Sequence, residues 1–196
     1  MEWASFGPWL QWCRCGWLDR LTGCRRALVM GDGDGRFTAR LLRANPFVTV
    51  DAVDASSTML KALVRRAGPH TARLQTRVVD ARLWQPSGPS YDLVVTHFFL
   101  DCLITEEVRS LAETVRSAVE DGALWAVSEF GIPPNRFGRL VARPLVAALY
   151  RAFGWLTGLR IRRLPDHASA LRNAGFRLTK RRTWLAGLLT SELWSA

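Results

Sequence analysis

Two rhythms of apolar residues alternate along this chain. Apolar or alternating runs of strand length occupy residues 27–30, 47–54 (FVTVDAVD), 73–80, 91–96 and 123–130. Between them apolar residues recur at helical spacing over 37–43, 57–64 and 106–119. Breakers close these units: Asn45-Pro46, Gly68-Pro69, the loop QPSGPS over 85–90, and Asp121-Gly122. Ser56 or Ser57 can cap the second helix, because a serine hydroxyl accepts an orphan backbone N–H. The run at 91–96 is almost wholly apolar, as a parallel strand buried on both faces must be. Strand and helix in alternation predict an α/β, doubly wound, mostly parallel sheet with right-handed crossovers.

The two ends and one internal stretch depart from that rhythm. Over residues 1–23 the apolar set Trp9, Trp12, Cys13, Trp17, Leu18 and Leu21 predicts a helix bent near Gly16, with its tryptophans packed as core. The tail predicts a helix from Asp166 to Asn173, a cap at Gly175, and two closing strands over 176–185 and 187–194. Residues 140–159 have the length of a membrane span, but Arg143 and Arg151 would each cost about 2 to 3 kcal/mol at intermediate depth, and Pro144 breaks the helical ladder. A lid-like, amphipathic helical insertion over about 132–165 fits better.

Composition changes this picture little and charge changes it more. The chain has 196 residues, 48% of them hydrophobic, and no Ser/Gly/Pro-rich linker divides it, so one domain over 1–196 is expected. The net charge of +10 is unevenly placed: residues 1–131 balance 15 basic against 15 acidic side chains, whereas 132–182 hold 12 basic residues and one acid, Asp166. Such a segment suits an anionic partner, either a membrane surface or nucleic acid. Cys13 and Cys15 are too close for a zinc knuckle and lack a nearby histidine, so no metal is expected. The N-terminus lacks the basic start and apolar core of a signal peptide, which points to the cytoplasm.

The candidate chemistry centres on residues 26–40, RALVMGDGDGRFTAR. An apolar strand breaks into Gly31, Gly33 and Gly35 at alternate positions, then a helix begins at Phe37. Glycine serves there because the turn needs positive φ and because a side chain would hold a ligand away from the N–H groups of the helix start. Asp54 ends the next strand, where a carboxylate can grip ribose hydroxyls. The nicotinamide version of this arrangement wants a further glycine where Arg36 stands.

The succession GDGDG, VDAVDASSTML, VVDARLW and YDLVVTHFFLDCL resembles the class I S-adenosylmethionine (SAM) dependent methyltransferases, over residue 26 to the C-terminus. The wording LPDHASALRNAGF is loosely similar to their quinone-biosynthesis branch. The resemblance implies a seven-stranded sheet of order 3-2-1-4-5-7-6 with helices on both faces and S-adenosyl-L-methionine as cofactor. It implies cofactor contacts from Gly31, Asp32, Gly33, Asp34 and Gly35, from Asp54, Ala55, Ser56 and Met59, from Asp80 and Ala81, and from Thr96, His97 and Phe98. Many members carry an acid two residues before the first glycine; here it is Val29, leaving Asp32 and Asp34 as substitutes that hold the methionine amino group.

Methyl transfer from a sulfonium is an in-line displacement that needs positioning more than a covalent residue. The expected acceptor is a small apolar molecule with an oxygen, carbon or sulfur nucleophile. His97, leaving the fourth strand, is the candidate general base, with Asp101 four residues on to fix its tautomer if the chain turns helical there. The alternatives are an RNA methyltransferase using the basic last third, and a non-catalytic SAM-fold binding protein.

Overall fold

The computed structural model describes residues 8–88, 90–133, 144 and 164–196. Its seven strands are β1 (Arg26–Met30), β2 (Thr49–Asp54), β3 (Leu74–Val78), β4 (Tyr91–His97), β5 (Val119–Phe130), β6 (Arg177–Trp184) and β7 (Leu189–Ser195). They form one sheet in the order β3-β2-β1-β4-β5-β7-β6, as the resemblance implies. The first five strands pair in parallel, and β7 enters antiparallel to both β5 and β6.

Strand alternation sends successive side chains to opposite faces, and each face is closed by its own helices. Leu28, Met30, Val94, Trp125, Val127 and Trp194 point toward α4 (Thr105–Ala118) and α5 (His167–Asn173). On the other face, Ala27, Val29, Val50, Leu93 and Val95 meet α2 (Arg36–Ala44) and α3 (Ser57–Ala67). Ser56 caps α3, its hydroxyl accepting from Met59 N at 3.3 Å, and Asp166 caps α5 in the same way for Ser169 N at 3.0 Å.

Asn45 does more than stop a helix. Fully buried, it donates to the carbonyls of Leu21 (3.0 Å) and Cys24 (2.7 Å) and accepts from the amides of Phe47 and Val48, so one side chain ties the N-terminal segment to the turn before β2.

The N-terminal segment is shorter in regular structure than its apolar pattern predicts. Helix α1 (Trp9–Arg14) ends in a turn, and a single 3-10 turn follows at Leu18–Arg20. Cys13 and Trp17 are buried, but Trp9 and Trp12 are exposed and stack edge-on at 4.8 Å, so the expectation of core tryptophans fails for these two. Ser128 Oγ donates to the Cys13 carbonyl at 3.2 Å, and Arg182 donates to the Gly16 carbonyl while covering the Trp17 ring at 4.2 Å. A Cβ on Gly16 would lie 2.9 Å from the Trp184 ring, which explains glycine at this close approach.

β5 begins at Val119 rather than 123: the Asp121-Gly122 pair is absorbed as an irregularity in its pairing with β4, with Gly122 at φ 80°, and does not end α4. The insertion predicted over 132–165 lies almost wholly outside the described residues. Among the described residues no helix is long and apolar enough to cross a membrane.

Candidate functional site

The carboxyl ends of β1, β2, β4 and β5 converge on the glycine turn. Gly31, Gly33 and Gly35 all have positive φ (67°, 58° and 80°), but for different reasons. A Cβ on Gly31 would enter the ring of Phe99, and one on Gly35 would sit 2.8 Å from the Leu63 Cα in α3. Nothing lies within 4 Å of the Cβ position of Gly33. Two glycines are therefore fixed by close packing, and the middle one faces open space beside the start of α2.

The two aspartates of the turn diverge. Asp32 Oδ2 accepts from Thr38 N at 2.8 Å and Thr38 Oγ1 at 2.7 Å, locking the first turn of α2, while Oδ1 has only a 3.4 Å contact with Phe37 N. Burial pushes its carboxyl up, and the Thr38 bonds together with the charge of Arg14 pull it back. Asp34 turns outward into ion pairs with Arg66 (2.6 Å) and Arg36 (3.2 Å). Of the two aspartates predicted as substitutes, Asp34 is therefore engaged on the outside of the turn and Asp32 stays inside it.

Asp54, at the tip of β2, accepts from Ser56 N at 2.8 Å and from the amide of Gly33, so it is tied directly to the open glycine. Burial raises its carboxyl and these amides oppose the rise. Ala55 and Met59 are exposed just beyond it. Asp80 follows β3, but Arg82 grips its carboxylate through Nε at 2.9 and 3.0 Å, reaches Glu107 at 3.3 Å, and holds Asp80 below the usual range. Ala81, beside it, is buried in the core. An adenine contact from Asp80 would have to share the carboxylate with Arg82.

At the exit of β4 the faces separate what the sequence joins. Thr96 points to the α4 side, where it accepts from Trp125 Nε1 at 2.9 Å. His97 points to the α2 side and meets Phe37 edge-on at 4.5 Å. Phe98 then takes a left-handed conformation (φ 54°) and a 3-10 turn at Leu100–Cys102 follows. The helix needed to bring Asp101 onto the face of His97 does not form. Neither ring nitrogen of His97 has a hydrogen-bond partner, so the predicted His97–Asp101 bond is corrected. Burial, with Arg14 adding to it, pushes the ring down to about 3, leaving a poor proton acceptor near neutral pH.

Asp101 is buried on the other side, near Glu129 at the end of β5. Glu129 Oε1 accepts from the amides of Phe99 (3.3 Å) and Leu100 (2.9 Å), and so holds the turn that presses Phe99 onto Gly31. Burial and the neighbouring Asp101 raise its carboxyl well above the ordinary value. The sequence shows Glu129 only as a residue at a strand exit, and nothing local marks it as an anchor for amides some thirty residues earlier. In the sequence Arg14 is only one of the polar positions between the apolar residues of the N-terminal helix; in the structure its guanidinium stands 5.3 Å over the Phe98 ring. The basic tail is partly structural: Arg181 pairs with buried Glu192 at 2.6 Å, Arg182 binds Gly16, and Arg172 covers Trp194. Among the described residues no cluster of three or more His, Cys, Asp or Glu could hold a metal ion.

A mostly parallel sheet with one antiparallel strand inserted next to the edge, and a glycine turn joined to an acid on the adjacent strand, define the class I SAM-dependent methyltransferase fold. The sequence agrees: residues 28–125, half of the chain, match the family described as methyltransferase domain, and the chain belongs to that family. It is 26% identical over 157 residues to the malonyl-[acyl-carrier protein] O-methyltransferase of Paenibacillus sp. (strain JDR-2), covering 77% of this chain and 55% of that one. Among solved structures it resembles the S-adenosylmethionine-dependent methyltransferase SibL in its apo form (TM-score 0.68, 26% identity, 95% of this chain and 55% of that one). It shares the fold of the N-methyltransferase NodS from Bradyrhizobium japonicum WM9, solved with S-adenosyl-L-homocysteine (TM-score 0.69, 13% identity, 95% and 87%). The chain thus spans little more than half the length of the Paenibacillus relative and of SibL.

Proposed function

We propose that this chain is a SAM-dependent methyltransferase acting on a small, apolar molecule through an oxygen, carbon or sulfur nucleophile. The carrying observation is Gly33: a left-handed residue open to space, its amide bound by Asp54 at the tip of the next strand. The residues present fit the cofactor. A ligand can approach the backbone at Gly33, Asp54 can take ribose hydroxyls, and Ala81 supplies an apolar wall for a purine. Of the three nucleophiles, oxygen is the one favoured by the name of the Paenibacillus relative.

Bound SAM supplies a methyl group activated by its sulfonium. What remains for the chain is to position that group and keep water away. Glu129 fixes the β4 exit turn through the Phe99 and Leu100 amides, and Phe98 packs on Phe130 at 5.1 Å to give the acceptor side an aromatic wall. His97, held neutral by burial, keeps that wall uncharged.

S-adenosyl-L-homocysteine (SAH) titrated by calorimetry tests the reading. Asp54→Ala should weaken SAH binding by roughly ten- to a hundredfold, the cost of about 1.5 to 3 kcal/mol for losing a hydrogen bond to a charged group. Asp80→Ala should weaken it less than about fivefold, because Arg82 already occupies that carboxylate. Unchanged binding in Asp54→Ala overturns the site.

A further inference from the structure

Exposed apolar side chains scattered singly are ordinary on a protein surface. Around α1 they gather. Helical spacing puts Leu10 and Cys13 on the buried face and Trp9 and Trp12 together on one flank, 37% and 52% exposed, with the edge of one ring against the face of the other at 4.8 Å. Arg14, which leans on Phe98, lies on the opposite flank. The buried face of α1 packs on the loop between β6 and β7, where Leu185 and Ala186 both hold left-handed conformations (φ 50° and 54°) that a non-glycine residue enters only at a cost. Ala186 is exposed there, and Ile132, 41% exposed, leaves β5 beside the same loop, to which Gly131 N donates at the Leu188 carbonyl (2.8 Å).

Charge around this patch has mostly one sign. Residues 176–188 hold Arg177, Lys180, Arg181 and Arg182 and no acid, and residues 8–25 hold one acid, Asp19, paired with Arg20 at 3.6 Å. Arg181 turns toward Glu192 and α5. Strand alternation puts Lys180 on the α1 side with Arg182, whose guanidinium binds the Gly16 carbonyl. Arg40, exposed on α2, acts by its charge on Cys15, three residues beyond Trp12.

We propose that this face docks on an anionic lipid surface, with Trp9, Trp12 and Ile132 entering the headgroup layer and Lys180 and Arg40 meeting the lipid anions. Indole suits that layer, since its body is apolar and its N–H can face water, and cations beside it add attraction to a negative leaflet. Lysine and arginine on an edge strand also discourage pairing with another sheet, but that role asks for no exposed indoles. Single-stranded nucleic acid wants open ring faces for its bases, and here the edge of one ring covers a face of the other. A second copy of this chain would set like charges against each other. The β6–β7 loop lies at the carboxyl end of β5, the end that carries the glycine turn, so docking brings that end of the sheet to the bilayer. The docking itself does not depend on the SAM reading.

Sedimentation with vesicles tests it, using phosphatidylcholine alone and phosphatidylcholine mixed with phosphatidylglycerol. The parent is expected to bind the mixed vesicles and to lose most of that binding on neutral vesicles or in high salt. Trp9→Ala with Trp12→Ala should weaken binding about tenfold or more, and Arg40→Gln with Lys180→Gln roughly three- to tenfold, each with SAH affinity held within about twofold. Retained SAH binding shows that a variant is folded; if the double tryptophan variant loses SAH, Trp12→Ser, at the more exposed of the two positions, decides by the same comparison. No binding to either vesicle, binding that the tryptophan changes leave within about twofold, or equal binding to neutral and anionic vesicles overturns the proposal. So does a single-stranded RNA oligonucleotide that binds through the tryptophans while vesicles do not. A parent that binds vesicles but not SAH overturns the SAM reading and leaves this docking surface standing.

Discussion

Gly35→Ala is expected to unfold this protein at a clearly lower temperature, while Gly33→Ala loses ligand affinity with a smaller change in stability. At Gly35 two costs combine. A side chain at φ 80° costs about 1 to 2 kcal/mol, and its Cβ would stand 2.8 Å from the backbone Cα of Leu63, an overlap only movement of α3 could relieve, at about 1 to 3 kcal/mol more. For a chain of this size that is a fall in melting temperature of roughly 5 to 15 °C. At Gly33 the backbone cost alone applies, since nothing stands within 4 Å of the new methyl group. The methyl would instead occupy the space through which a ligand approaches the backbone. Thermal melts and SAH titrations on both variants check the pair. Equal losses of stability would mean that the turn is not divided into packing and ligand-facing glycines.

That division explains why some of the site was legible in the sequence and some was not. The periods of 2 and 3.6 specify strands and helices locally, so β1 to β4, α2, α3 and α5 fall close to their predicted places. The spacing from Gly31 to Asp54 reflects one strand–helix–strand unit, a structure too constrained to hide. Contacts that cross the sheet leave no such trace. His97 and Asp101 look like a pair at four-residue spacing, yet the left-handed Phe98 and the 3-10 turn after it send them to different faces. Asp80 stands where an adenine contact is expected, but its carboxylate is taken by Arg82, a residue with no distinctive pattern. Arg14 and Glu129 act on residues far along the chain, and only the packing of α1 and β5 against the β4 exit brings them there.

Two buried titratable groups at that exit should tilt the pH dependence of stability in opposite directions. His97 is displaced from 6.5 to about 3, so between those values the unfolded chain binds a proton that the folded chain refuses. Stability from this group is therefore complete above pH 6.5 and is lost as the pH falls, by about 2 kcal/mol at pH 5 and at most about 5 kcal/mol at pH 3. Glu129 is displaced upward from 4.5, so the folded chain keeps a proton that the unfolded chain gives up. Its contribution is complete below pH 4.5 and is lost as the pH rises toward its folded value. Replacing each group by one that cannot titrate removes its slope. His97→Leu should gain on the parent as the pH is lowered from 6.5 to 5, by roughly 4 to 8 °C in melting temperature. Glu129→Gln, which keeps an oxygen for the Phe99 and Leu100 amides, should gain as the pH is raised from 4.5. Melting temperatures of the three proteins from pH 4.5 to 8 at constant ionic strength decide the matter: a His97→Leu curve parallel to the parent's would show an imidazole that solvent or a partner reaches, and a parallel Glu129→Gln curve would show a carboxylate ionised in the folded state.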